Sequence, residues 1–577
     1  MSGNGNGRKN DGIDPIALEI LWNRMISVVN EQAAALIRTA FTSVVRDSGD
    51  LSAGIFDPQG RMIAQAITGT PGHINSMATS IHYFHAQYPL PTLQPGDILI
   101  TNDPWATAGQ LHDLTIITPA FKRGRLVALF GNTCHAVDIG GRGLGCDARD
   151  VFEEGIYLPA TKLYDRGEKN RELFKIIEGN VRAPEEVLGD IHAQIVANEV
   201  GGKQLLEFME EFALDDIDAV SEAIVSRSEA AMREAIDTIP DGTYENVVWN
   251  DGFDEPIRIQ VRVTVRGNGL EVDYAGSSPQ AARGINVVFN YTHAYTTYAI
   301  KCAISPEVPN NEGSFRPVKV SAPPGCILNA QRPVAVAGRH LIGHFLPGAI
   351  FGALGRALPG RVMAEGSAGV WNNQVTGFDP RRREPFTYVW FSAGGTGARP
   401  DKDGLSATAF PSGIGGVPVE VIESLSPILM RKRELRPDSG GPGTLRGGLG
   451  QTMVVGVRTD RPFRWSTMCD RIQFPAQGLA GGKPGAPGAV SLQDRTPLHP
   501  KSQHTLPADA LVTLHLPGGG GIGDPLARDP ALVARDVRDG YVSRERAEAE
   551  YGVVLVEGSF EVDARRTAAR RGARGSA

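Results

Sequence analysis

The sequence predicts a multi-domain α/β chain of the α+β kind, with mixed and antiparallel sheets and a helix-rich N-terminal part. Three observations carry that expectation. Apolar residues at helical spacing open the chain and return over 182–238. Period-two runs joined by short turns recur at 51–66, 114–134 and 256–276. The 577 residues, 41% hydrophobic and 21% charged, suffice for two or three cores. No short-period repeat is present, so a solenoid or propeller is not expected.

Residues 1–13, beginning "MSGNGNGRKNDG", read as a flexible polar tail. Asp14-Pro15 then fits an N-cap followed by proline in the first turn. Leu18, Leu21, Trp22, Met25, Val28, Val29 and Leu36 continue at helical spacing to about residue 40. "LSAGIFDPQGRMIAQA" (51–66) alternates about an Asp57–Gly60 turn as a hairpin, and "GDILITND" (96–103) ends a further strand. A helical block over 182–238 is expected to break near Gly201-Gly202. The pattern changes to strands after Pro240-Asp241-Gly242, which divides a domain at 14–240 from a β-rich region at 241–560. One helical run stands out there, at about 289–304. The end of the chain, 561–577, carries an arginine-rich segment read as a solvated basic tail.

The net charge of −7 gives no basic field for nucleic acid or an anionic membrane. Five cysteines, at 134, 146, 302, 326 and 469, show no CxxC spacing, so neither a disulfide framework nor a zinc ribbon is indicated. No apolar run approaches a membrane span and no leader-like segment opens the sequence; a soluble, cytoplasmic protein is expected. A phosphate-binding GxxxxGK[ST] loop is missing: Gly482-Lys483 lacks the leading glycine and runs into Pro484. Gly518, Gly520 and Gly523 match GxGxxG after a strand, but Asp524-Pro525 interrupts the helix such a motif requires. A structural or anion-facing loop is expected there. No GxSxG elbow supports a serine hydrolase.

The candidate chemistry sits in "QLHDLTIITPAFKRGRLVALFGNTCH" (110–135). Two apolar runs flank Lys122-Arg123-Gly124-Arg125, and centring the loop on Gly124 sets Asp113 opposite His135. Directly opposed residues have Cβ atoms roughly 4.5–5.5 Å apart, close enough for a carboxylate and an imidazole to share one cation. The same pair also fits a structural role, with His135 bonded to a backbone carbonyl and Asp113 capping the turn. Cys134 points to the opposite face of the strand and forms no dyad with His135. His73, in "GTPGHINSM", lies near enough in sequence to share the cleft with Asp50, as a candidate acid or base. His340 and His344 fall four apart without the glutamate of an HExxH metalloprotease.

Several collinear segments carry a resemblance: "DPIALEILWNRM" (14–25), "RTAFTSVVRDSGDLSAGIFDPQGRMIAQA" (38–66), "NDPW" (102–105), "CHAVDIGGRG" (134–143), "NEGSFRP" (311–317), "PVEVIE" (418–423), "DSGGPGTLRGGLG" (438–450) and "PGGGGIGDPLARDP" (517–530). Together they resemble the hydantoinase B/oxoprolinase family, the B-type subunits of ATP-dependent hydantoinases, related to the C-terminal half of 5-oxoprolinase and to acetone carboxylase α subunits.

The resemblance implies a hetero-oligomer in which a hydantoinase A-type partner uses ATP with magnesium while this chain carries a divalent metal, zinc, manganese or iron. The carboxylase relatives place ligands on a His-x-x-Asp motif and a later histidine; the matching positions here are Gln110, Asp113 and His135. Gln110 departs from the pattern, and His112 is the neighbouring nitrogen that could replace it. The expected reaction is hydrolysis of a small cyclic amide such as hydantoin, N-methylhydantoin or 5-oxoproline. His73 would act as acid or base, and Asp138 would orient a ligand. Carboxylation of a ketone such as acetone or acetophenone, and a non-catalytic scaffold role, are the alternatives.

Overall fold

A computed structural model describes residues 13–575 apart from Thr68 and Gly369, with side chains to residue 572. The tail expected at 1–13 therefore lies outside the described residues except for Ile13. The architecture is mixed α/β, with one seven-stranded and three four-stranded sheets among the described residues. No helix there is long and apolar enough to cross a membrane.

The seven-stranded sheet holds the quoted hairpin at its centre. Its order is Met62–Gln65, Leu51–Phe56, Arg125–His135, Asp113–Lys122, Ile98–Thr101, Thr161–Asp165, Glu168–Lys169. Every pairing is antiparallel. Alternation along the strands gives each face its own core. Ile55 and Phe130 meet the opening helix Pro15–Thr39 and the long helix Pro184–Glu211, while Phe56, Leu129 and Ile117 meet the helix Pro71–Gln87. The central strands are thus covered on both sides. As expected, Asp14 caps the opening helix, its carboxylate accepting from Ile16 and Ala17 N–H.

The helix Asp218–Asp237 gives way to the strand Gly242–Asn250, where a domain boundary was expected. One core cluster nevertheless runs across that point, joining Ile100, Leu114 and Met232 to Val248 and Ile259. The second sheet, ordered Val318–Ser321, Gly269–Asp273, Ile257–Arg266, Gly242–Asn250, is antiparallel except for its parallel first pair. The helix Phe289–Ile304 packs against the helix Pro71–Gln87 and ties this half to the first sheet. The last two sheets share a core of Trp371, Trp390 and Trp465 with Met453, Val512 and Leu514.

Two expectations change, and a third, left between two roles, is decided. The helix Pro184–Glu211 runs unbroken through Gly201-Gly202. The first of these glycines serves contact rather than termination, because a Cβ at Gly201 would lie 2.6 Å from the Phe130 ring. Of the two roles expected for the loop at Gly518–Gly523 the structural one holds: each N–H from Gly518 to Gly523 donates to a backbone carbonyl of a neighbouring segment, as in Gly519 to Gly448 at 3.0 Å and Gly520 to Glu365 at 2.8 Å. Its donors are spent inside a buried bundle of glycine-rich chains. Residues 564–575, expected as a solvated tail, form a helix that docks through Arg571, which donates to the carbonyls of Arg528 and Tyr551.

The adjacent glycines provide a paired test of the helix–strand contact. Gly201→Ala is expected to lower stability by about 1–3 kcal/mol through overpacking against Phe130. Gly202→Ala, whose Cβ meets nothing closer than 4.0 Å, should raise it by up to about 1 kcal/mol through helix propensity. Urea unfolding of both variants measures the difference, and equal effects would rule out the close packing at Gly201.

Candidate functional site

Asp113 and His135 are Cα partners at the open end of the hairpin, as the turn centred on Gly124 requires. Their side chains meet, with His135 Nδ1 3.1 Å from Asp113 Oδ1. Gln110 lies in the turn leading into the strand, where its carbonyl accepts from Asp113 N–H. Its amide Nε2 stands 2.8 Å from Asp113 Oδ1 and 2.9 Å from His135 Nδ1. Three polar atoms thus form a closed triangle, each buried.

The other carboxylate oxygen is held from two further elements. His73, in the first turn of the helix Pro71–Gln87, places Nε2 3.2 Å from Asp113 Oδ2 and Nδ1 3.6 Å from Asp50. Thr70 fixes Asp50 by donating to it at 2.9 Å. Arg339 brings Nη2 to 2.5 Å from Asp113 Oδ2, donates through Nε to the Ala108 carbonyl, and lies 4.3 Å above the Tyr291 ring. His340 and His344 follow it at the margin of the same small cavity, about 20 Å³ in volume.

Not every expected residue joins the centre. The His112 ring stacks on that of His135, centroids 5.3 Å apart and 12° from parallel. It therefore lies beside the triangle instead of completing it. Asp138 is engaged elsewhere, its carboxylate paired with Arg182 at 2.6 Å, and so does not orient these groups. Cys134 belongs to a core cluster with Leu51, Ala193 and Ala197 on the opposite face.

Burial and charge divide the titratable groups. For Asp113, burial opposes ionisation, but Arg339 and then His73 outweigh it and hold the carboxyl well below its usual range. Burial also works against a charged His73, yet Asp113 and Asp50 raise its affinity for a proton. His112 and His340 are driven well below the usual value, by burial and then by their imidazole neighbours His135 and His344. His344 falls to about 3 through burial, Arg339 and His73. Tyr291 is pushed up to about 12 by burial, against the opposing effect of Arg339.

Proton counting within the triangle bears on metal binding. His135 Nδ1 can accept from the Gln110 amide or donate to Asp113, but not both at once. The Gln110 Oε1 and His135 Nε2 atoms are buried without partners. Exchanging the amide's oxygen and nitrogen, which have the same shape, turns the triangle into two oxygens and one nitrogen. Adjacent ligands on an octahedral ion with bonds of about 2.1 Å stand about 3.0 Å apart, close to the separations found here. Among the described residues no group of three or more His, Cys, Asp or Glu side chains could hold a metal ion. The Gln110 amide is therefore the third donor a bound ion would need, and with it the site fits one.

Arg339, 226 positions from Asp113, carries no local sequence signal for this role. The spacing of His340 and His344 marked the segment without showing where it packs.

A mixed α/β chain with a buried carboxylate–imidazole–guanidinium centre at the mouth of a central hairpin is the class that fold and site define. Residues 14–525 match the hydantoinase B/oxoprolinase family, and the chain belongs to that family. A putative D-/L-hydantoinase B-type subunit from Pseudomonas sp. (strain NS671) is 32% identical, over 96% of this chain and 97% of its own length. The crystal structure of the ATP-dependent caprolactamase from Pseudomonas jessenii superposes with a TM-score of 0.88 at 28% identity, covering 97% of this chain and all of that one. A nucleotide-free structure of acetone carboxylase, from work on ATP-dependent acetone carboxylation, shares the fold, with a TM-score of 0.88 at 22% identity over 98% of this chain and 83% of that chain.

The low proton affinity of His344 has a measurable consequence. Between its folded value of about 3 and the unfolded value of about 6.5, only the unfolded chain binds this proton. Stability therefore falls as pH falls through that window. His344→Asn should make the dependence of unfolding free energy on pH shallower by up to about 1.4 kcal/mol per pH unit between about pH 4 and 6. Urea titrations across that range check it, and an unchanged slope would exclude a neutral buried imidazole.

Proposed function

We propose that this chain is the B-type subunit of a cytoplasmic, ATP-dependent cyclic-amide hydrolase acting on hydantoin, N-methylhydantoin or 5-oxoproline-like rings with an A-type partner that uses ATP. The observation that carries this reading is the buried triangle of Gln110, Asp113 and His135, in a chain similar to a hydantoinase of the B type and to an ATP-dependent caprolactamase.

Amide resonance makes a ring carbonyl a weak electrophile. Phosphorylation of its oxygen by the partner would give an imidate phosphate; water adds to its carbon, the ring C–N bond breaks with the nitrogen leaving as an amine, and the acyl phosphate left is hydrolysed to carboxylate and phosphate. The residues of this chain then govern charge and protons. Arg339 keeps Asp113 ionised, so the triangle retains one fixed negative charge. His73, between Asp113 and Asp50, holds a proton that it can give to the departing ring nitrogen. His340 and His344 stay neutral and add no competing positive charge. A divalent ion held by Gln110, Asp113 and His135 would supply a Lewis acid and a water of lowered pKa.

Two measurements test the proposal. Chain and partner together should open the ring only with ATP and without bicarbonate; turnover by this chain alone, or a bicarbonate-dependent product from acetone, would overturn it. In the purified protein, metal content measured by elemental analysis should fall at least tenfold in Asp113→Ala and rise in Gln110→His, since imidazole binds first-row ions better than a neutral amide. Identical metal content in all three proteins would remove the ion from the scheme and favour a scaffold role.

A further inference from the structure

A second cavity, of about 360 Å³, lies beside the small one at Asp113. The wall between them is one chain thick. Gly69 and Pro71 face the larger space while Thr70 and His73 face the smaller, and in a second segment Pro411 and Gly413 alternate in the same way with Ser412 and Ile414. The larger cavity is mostly apolar, with Ile74, Val308 and Tyr298 among its walls and the carboxamides of Gln65, Asn75 and Asn310 among its polar points. Asn310 Nδ2 donates to Gln65 at 2.7 Å and Asn75 at 2.8 Å, which holds that edge in place.

One lining residue breaks the apolar pattern. Lys301, on the helix Phe289–Ile304, is only 8% exposed. Its ammonium donates to the Ser305 carbonyl at 2.6 Å, and among the described residues it forms no ion pair with a carboxylate. An ammonium has three N–H donors, so two remain for another acceptor. Burying a cation without a counter-charge is costly unless a ligand supplies one. Burial lowers its proton affinity to about 8, with Cys302 and Glu307 acting in the opposite direction, so it stays largely charged at neutral pH.

We propose that this cavity is an oxyanion-binding subsite, in which Lys301 meets the carboxylate or phosphoryl oxygens of a small ring compound. Resting on the hydrolase reading, this deepens it by selecting anionic rings over neutral ones. A five-membered lactam carboxylate has room in the space, and its apolar ring edge suits Ile74 and Val308. The 20 Å³ space beside Asp113 has room for little more than a water molecule.

Calorimetry on the full chain tests the subsite, using 5-oxoproline, its uncharged analogue 2-pyrrolidone and inorganic phosphate as probes. At least one anion should bind, and 5-oxoproline, if it does, should bind roughly tenfold or more tightly than 2-pyrrolidone, the size expected of one charge-assisted hydrogen bond. Lys301→Met should erase the preference and Lys301→Arg retain most of it. Asn310→Asp, a partly exposed change, should weaken anion binding by electrostatic repulsion even if Lys301→Met fails to fold. Loss confined to 5-oxoproline identifies a carboxylate of the substrate; loss confined to phosphate identifies a phosphoryl group. Equal binding of 5-oxoproline and 2-pyrrolidone with no phosphate binding, or anion affinities unmoved by these substitutions, overturns the subsite. Ring opening that still requires the partner and ATP would then leave the hydrolase reading standing.

Discussion

The Asp113–Arg339 ion pair constrains everything around it. A carboxylate with no solvent exposure is strongly penalised unless opposite charge and hydrogen bonds compensate it. Here the compensation comes from three distant parts of the chain: the hairpin itself, the helix carrying His73, and the segment carrying Arg339. Those parts meet only because the helix Phe289–Ile304 packs on the helix Pro71–Gln87, where Asn75 donates to the Ala294 carbonyl at 3.2 Å. The centre therefore forms only when both halves of the molecule are assembled.

That single charge also sorts the surrounding histidines. Beside Asp113 and Asp50, His73 is biased toward the proton; His340 and His344, buried near Arg339, are biased against it. Identical side chains within one cluster are thus biased in opposite directions without any difference in residue type. The stacked His112 and His135 rings extend the pattern, because burial and the neighbouring imidazole keep His112 neutral. A positive charge arriving at the triangle meets a carboxylate that Arg339 and His73 already hold through its other oxygen.

Local physics made part of this visible in sequence. The hairpin register followed from period-two alternation and a turn at Gly124, both set by neighbouring residues, and Asp113 does face His135. The helix at 289–304 and the Asp14 cap were legible for the same reason. What depended on tertiary contact was not. Gly201-Gly202 suggested a helix break because glycine is a poor helix former, yet the absence of a side chain lets that helix lie against Phe130. Asp138 follows the His135 strand closely enough to suggest a shared role, but Arg182, whose approach no spacing announces, takes its carboxylate. Arg339 is the clearest case: burial makes it decisive, and burial is a property of the folded chain.

Backbone hydrogen bonding also disfavours ATP chemistry in the glycine-rich segments of this chain. A phosphate cradle needs backbone N–H groups left free to point at an anion. In the glycine-rich bundle around Gly518–Gly523, those donors are bonded to carbonyls of residues 365, 445, 448, 479, 483 and 486. Opening that bundle to a triphosphate would break hydrogen bonds inside a buried region, and each unpaired group would cost about 1–3 kcal/mol. The glycines here are used to pack chain against chain, so this segment is built for rigidity. The proposed division, with the phosphoryl donor held by a partner, would avoid that conflict.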